Sequence, residues 1–120
     1  MDQYTEQRPW GSFTVLMDAD NFKAKRLDVL PKKRISLQSH QHRSEHWIIV
    51  AGLAKITVGD EVKNYSQGQH IHVPQKSMHR IENTGDTLLT IVEVQLGEYF
   101  GEDDITRYED DFERHVGKVG

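Results

Sequence analysis

The residues best suited to chemistry lie in Gln38–Trp47, which reads Q-S-H-Q-H-R-S-E-H-W, and in the distant His79. His40 and His42 are two apart, so on an extended strand both imidazoles point to one face. Glu45 follows at once, beside an apolar run, Trp47–Val50. Two imidazoles and a carboxylate form a mixed nitrogen and oxygen donor set suited to Zn²⁺, Fe²⁺, Mn²⁺ or Ni²⁺. A complete site needs a further ligand from elsewhere, and His79 is the candidate. With no cysteine in the chain, thiolate ligation and disulfides are excluded, leaving His and carboxylate to hold any metal.

The elements that must position these groups read as short strands. The 120 residues suffice for one domain with a modest core. Strands are expected over Ser12–Met17, Phe22–Leu30, Ile35–His42, Trp47–Val50, Ala54–Val58, Val62–Tyr65, His70–Val73, His79–Glu82 and Thr87–Val94. They are punctuated by Gly, Pro, Asn and Asp, which indicates an all-β antiparallel sandwich or barrel. Gly59-Asp60 reads as a two-residue hairpin turn. Residues 1–7 are expected to be a loose arm, 8–114 the domain and 115–120 a tail. The one helical stretch expected is Glu102–Arg114, whose acidic start suits a helix dipole but also an ordinary solvated segment.

Composition narrows the partners. A net charge of −4 with scattered Lys and Arg argues against nucleic acid, while leaving room for a small phosphorylated ligand. No apolar run is long enough to cross a bilayer, and the N-terminus lacks the pattern of a secretory signal, so no membrane partner and a cytoplasmic location are expected. The seven histidines exceed what solvated faces need.

Two spaced blocks carry a family resemblance. The first is His40-x-His42-x-x-Glu45 followed by Gly52; the second contains Gly68, Pro74, His79 and Asn83. They resemble the paired motifs of the cupins, small β-barrels that hold one metal ion, and the resemblance implies His40, His42, Glu45 and His79 as ligands. Only two residues separate His42 from Glu45, where cupins in general have three or four, which makes His46 the rival to Glu45. Lys76 stands where a glycine is common. A narrower set of residues accounts for the short gap: Arg8-Pro9-Trp10-Gly11, Lys25-Arg26, Gln38-x-His40-x-His42-Arg43-x-Glu45-His46-Trp47, His79-Arg80-x-Glu82-Asn83-x-Gly85, Glu93-Val94-Gln95 and Gly101-Glu102-Asp103-Asp104-Ile105-x-Arg107. In that order they are similar to the cupin domain of type II mannose-6-phosphate isomerases, which usually follows a mannose-1-phosphate guanylyltransferase domain. No guanylyltransferase segment is present in these 120 residues, so nucleotide-sugar synthesis is not expected of them.

The resemblance implies a cupin-type antiparallel β-barrel, or jelly roll, with a short C-terminal helical or irregular segment. It implies one divalent ion, zinc first with iron, manganese, nickel or cobalt as alternatives, a phosphorylated sugar as ligand, and a homodimer. The expected activity is interconversion of mannose 6-phosphate and fructose 6-phosphate; a non-catalytic metal- or sugar-binding cupin and another metal-dependent cupin enzyme are the rivals. Isomerisation requires a Lewis acid, a proton-transferring base and cations for the phosphate. Arg43, inside the metal-bearing segment, suits phosphate through its planar fork. Arg8 and Arg107 are further candidates for the substrate, against ordinary ion pairing with the acidic end. Lys25 sits mid-strand, either pointing inwards as an acid/base or lying on a solvated edge. Glu93 and Gln95 share one face of an apolar strand, so Glu93 either meets solvent or is kept inside as the base. Gln38 has the parity of His40 and should reach the same cavity. His70-x-His72 looks like a second metal pair, but strand packing or surface exposure is the preferred reading.

Overall fold

The computed structural model describes residues 3–112. Within them the chain forms eleven strands: β1 (Tyr4–Arg8), β2 (Gly11–Asp18), β3 (Phe22–Val29), β4 (Leu37–Ser39), β5 (Arg43–Ala51), β6 (Ala54–Val58), β7 (Glu61–Tyr65), β8 (His70–Val73), β9 (His79–Asn83), β10 (Leu89–Gly97) and β11 (Thr106–Glu109). They make a six-stranded sheet in the order β1-β2-β3-β10-β5-β8 and a five-stranded sheet in the order β11-β4-β9-β6-β7. Every pairing is antiparallel. The expected all-β jelly roll is therefore present, as two facing sheets whose ladders do not close into a continuous barrel among the described residues. No helix there is long and apolar enough to cross a membrane.

Period-two patterning explains the sandwich. In β5, Arg43, Glu45, Trp47 and Ile49 are buried while Ile48 and Val50 face out. In β10, Ile91, Glu93 and Gln95 face in. The inward faces meet around Val15, Val29, Trp47, Ile49, Ile56, Ile81, Leu89 and Ile91, each at most 1% exposed. Apolar packing fills one end of the sandwich; inward polar residues gather at the other. Burying that apolar set is the main favourable contribution to folding, at about 25 cal/mol for each Å² removed from water.

Three expectations are corrected. The loose arm is, from Tyr4 onwards, strand β1, whose Tyr4–Arg8 run pairs with Val15 back to Gly11. Its polar composition reflects an edge strand with exposed side chains, which offers no apolar face to read. The helix over Glu102–Arg114 does not form among the described residues. Turns lead instead into β11, which pairs with β4; Arg80 holds Glu109, and Nε and Nη2 of Arg34 hold Asp111 just beyond the strand. Strand Ile35–His42 is regular only over Leu37–Ser39, so His40 and His42 lie in a loop. The tail 115–120 lies outside the described residues.

Two backbone positions bear on that loop. Lys76 has φ 70°, the left-handed conformation that glycine adopts at lower cost, and its N–H donates to the carbonyl of His40 at 2.8 Å. Gly97 has φ 153°, and a Cβ there would lie 2.2 Å from the His42 carbonyl oxygen. Gly97→Ala must therefore push the His42 loop away from β10. It should lower the unfolding free energy by roughly 2 kcal/mol or more, measured by chemical denaturation of the metal-free protein.

Candidate metal and anion site

Alternation and register bring the polar residues together. β10 runs between β3 and β5, so Glu93 lies opposite Lys25 on one side and Trp47 on the other, and Gln95 lies opposite Glu45. Across the sandwich, Gln38 of β4 is paired with His79 of β9. His40 hangs from the loop after β4, between the sheets. All of these except Gln95, together with Arg8, Arg107 and Glu102, line a cavity of about 70 Å³.

Three potential ligands converge there. Donor atoms of His40, Glu45 and His79 all lie within 4.8 Å of one another, and all three residues are buried. Their tautomers follow from hydrogen bonding. His40 Nδ1 is 2.5 Å from the Asp104 carbonyl oxygen and His79 Nδ1 is 3.1 Å from that of Ser77. A carbonyl only accepts, so both Nδ1 atoms carry the proton and both Nε2 lone pairs face the cavity. This backbone support is the arrangement metal-bound histidines use. His79 Nε2 is buried with no hydrogen-bond partner, a state a cation would relieve. The donor set fits a divalent ion held by His40, Glu45 and His79, with imidazole and carboxylate compatible with zinc and its neighbours.

A positive charge already sits among them. Arg43 Nε donates to Glu45 Oε2 at 2.9 Å, and Arg43 Nη2 donates to His40 Nε2 at 3.2 Å. Its Nη1 is buried and has no hydrogen-bond partner. Tetrahedral ligands at about 2.1 Å from an ion stand roughly 3.3 Å apart. His40 Nε2 and Glu45 Oε2, both bonded by Arg43, already stand at that spacing, 3.3 Å apart.

Burial sets the protonation states. It pushes His79 down to about 4, and does the same to His40, with the Arg43 charge and His79 adding to the effect on His40. Glu93 is pushed up to about 7 by burial and by the neighbouring Glu45 carboxylate. Burial opposes the charge on Arg43, but Glu45 and Glu93 outweigh it and hold the guanidinium above its ordinary value. Trp47 Nε1 donates to Glu45 Oε1 at 2.9 Å and to Glu93 Oε1 at 3.2 Å, and Gln95 Nε2 to Glu93 Oε2 at 2.7 Å.

The sequence-derived candidates divide clearly. His40, Glu45, His79, Arg43, Lys25, Glu93, Gln38, Arg8 and Arg107 all line the cavity. Lys25 is buried, pairs with Glu102 across the mouth and lies 4.2 Å from the centre of the Phe13 ring. Arg8 pairs with Glu6, not with the acidic end of the chain. His42 is not brought in: it is exposed, its N–H donates to Asp104, and its ring stands edge-on to Tyr99. The same-face argument required a strand, and the strand ends at Ser39. His46, the rival to Glu45, points to the opposite face of β5. Sequence reasoning missed Glu102, Asp104 and Trp47 as partners of the site. Asp104 lies 64 residues from His40, and no spacing signal links the two.

The fold and the buried His/Glu cluster define a cupin. Consistent with that class, the Cnp3 cupin domain of Schizosaccharomyces pombe superposes with a TM-score of 0.69 at 16% identity, covering 72% of this chain and 64% of that one. The family described as Mannose-6-phosphate isomerase C-terminal matches residues 2–110, and the chain belongs to it. Among full-length relatives, the mannose-1-phosphate guanylyltransferase of Sinorhizobium fredii is 46% identical over 104 residues, which is 87% of this chain and 20% of the relative. The alginate biosynthesis protein AlgA of Pseudomonas aeruginosa is 45% identical over 107 residues, 89% of this chain and 22% of the relative. The chain thus spans about a fifth of these relatives. They correct the activity expected from the sequence. Relatives are named for guanylyl transfer to mannose 1-phosphate, not for an aldose–ketose isomerisation, so isomerase activity is not retained as the function.

Two outcomes follow from this geometry. Replacing Arg43 by Met frees the His40 lone pair and removes a competing charge. Zn²⁺ affinity, measured by calorimetry, should rise roughly tenfold or more, the worth of one hydrogen bond to a charged group. In the metal-free protein, His40 and His79 stay neutral when folded but take up protons near pH 6.5 once unfolded. Stability should therefore fall as pH drops from 7 to 5, with Glu93 opposing part of the change. The thermal midpoint of His79→Gln should fall less over the same interval.

Proposed function

We propose that this chain is a metal-holding cupin domain that binds a phosphorylated mannose and serves mannose-1-phosphate guanylyl transfer without catalysing it. The observation that carries the reading is the buried Arg43 guanidinium. One of its nitrogens lacks a hydrogen-bond partner beside three convergent metal-ligand atoms. A buried cationic donor without a partner is expensive, and an anionic oxygen is the ligand that best relieves it. The names of the relatives supply mannose 1-phosphate as the first candidate. Zinc is the first choice of ion. When bound, it would supply a positive centre for sugar or phosphate oxygens.

The residues take separate tasks. Arg43 engages the phosphate with its fork, and Gln38 and Arg107 line the wall at the β4–β11 pair. A cavity of about 70 Å³ is too small to enclose a phosphohexose, since pockets for such ligands run to several hundred Å³. Admission therefore requires Glu102, whose side chain is 48% exposed, to leave Lys25. The released ammonium then becomes a second cation for the ligand.

Calorimetry on the zinc-loaded chain tests this. Mannose 1-phosphate should bind more tightly than mannose or inorganic phosphate alone. The affinity should drop at least roughly tenfold in Arg43→Ala while zinc is retained. Absence of binding, or binding indifferent to both zinc and Arg43, would overturn the proposal.

A further inference from the structure

The outer face of the same sheet carries a second group of imidazoles, remote from the cavity. β8 is the edge strand of the six-stranded sheet and pairs with β5 in a register that sets His46 opposite His72 and Ile48 opposite His70. Ile71 and Val73 are buried, so His70 and His72 project outwards, and both are exposed. His46 has the outward parity of β5 as well, placing three imidazoles on one patch. His46 Nδ1 and His70 Nε2 are 3.0 Å apart, and the His72 ring stacks on His46 with 4.7 Å between centroids.

From these positions we infer a surface site for a divalent transition ion, held by His46, His70 and His72 and separate from the cavity cluster. Directly opposed residues on an antiparallel pair, and those one step along the diagonal, are the neighbours whose side chains meet. Two imidazole nitrogens bound to one ion stand roughly 3.3 Å apart, close to the spacing already found between His46 and His70. One proton now bridges that pair, and a metal ion takes its place. The rings lie within 9° and 17° of parallel, whereas lone pairs lie in the ring planes. Binding therefore turns the rings out of their stack, an adjustment open to exposed side chains on an edge strand. Three neutral nitrogen donors with water completing the shell suit Zn²⁺, Cu²⁺ or Ni²⁺ and disfavour Mg²⁺ or Ca²⁺.

Glu45 faces inwards and His46 outwards on consecutive residues of β5, so the two sites sit on opposite faces of one sheet. They can be emptied separately. Zn²⁺ bound per chain is measured by equilibrium dialysis on the unaltered protein, on His70→Ala/His72→Ala, and on His79→Ala. The double variant should lose one ion relative to the unaltered protein. His79→Ala should keep the ion that the double variant loses, whether or not the cavity binds zinc at all. Equal zinc content and affinity in the double variant and the unaltered protein would overturn the inference. A direct reading on the unaltered protein needs no variant: the imidazole ¹⁵N resonances of His46, His70 and His72 should shift together during a Zn²⁺ titration and stay fixed with Mg²⁺. If those three resonances do not respond to Zn²⁺, the surface site does not exist.

Discussion

Everything at the polar end of this sandwich depends on how a dry interior accommodates charge. Arg43, Glu45, Glu93 and Lys25 are each 5% exposed or less, and two buried imidazoles face them. Removing such groups from water is tolerable only where each is neutralised or hydrogen-bonded. Glu45 accepts from Arg43 and Trp47, Glu93 accepts from Trp47 and Gln95, and Lys25 meets Glu102 at the rim. Three atoms of the network lack partners: His79 Nε2, Arg43 Nη1 and Gln95 Oε1. The first is an acceptor facing the cavity and the second a cationic donor. Well-packed apolar residues of similar volume often fill such a space at least as stably, so folding stability alone gives no reason for these charges.

The same constraint makes Arg43 an internal stand-in. It supplies positive charge to Glu45 and a donor to His40, which are the needs a metal ion would otherwise meet. One lone pair on His40 cannot serve both at once. A metal ion on His40 and the present Arg43 position would therefore exclude each other. Under the proposed function, an ion that displaced Arg43 from His40 would leave the guanidinium for an anion, coupling the two ligands through a single side chain.

Much of this was legible in the chain. The motif around His40 singled out Glu45, and the shared parity of Glu93 and Gln95 on an apolar strand raised the inward reading of Glu93. The same rule failed for His42 because it presumes a strand. Asp104, whose carboxylate accepts from the backbone of Gln41 and His42, holds that segment as a loop. Nothing local in Ser39–His42 announces a partner more than sixty residues away. The acidic stretch after Gly101 misled for a related reason. Its Asp and Glu residues look like the solvated start of a helix, yet Glu102 and Asp104 are spent on Lys25 and on the His40 loop. Strand β1 was hidden because its inward positions, Glu6 and Arg8, are charged, leaving no hydrophobic period to read.

Likeness of fold and likeness of activity come apart in this molecule, and the site explains why. A cupin sandwich supplies inward positions on facing strands and leaves their chemistry to individual side chains. The family match covers nearly the whole chain, while the relatives are roughly four times as long and several carry a transfer activity in their names. An isomerase would need a positioned base close to a substrate carbon. Among the described residues the one carboxyl raised towards neutrality, Glu93, accepts hydrogen bonds from Trp47 and Gln95. The groups that could move a proton hydrogen-bond one another.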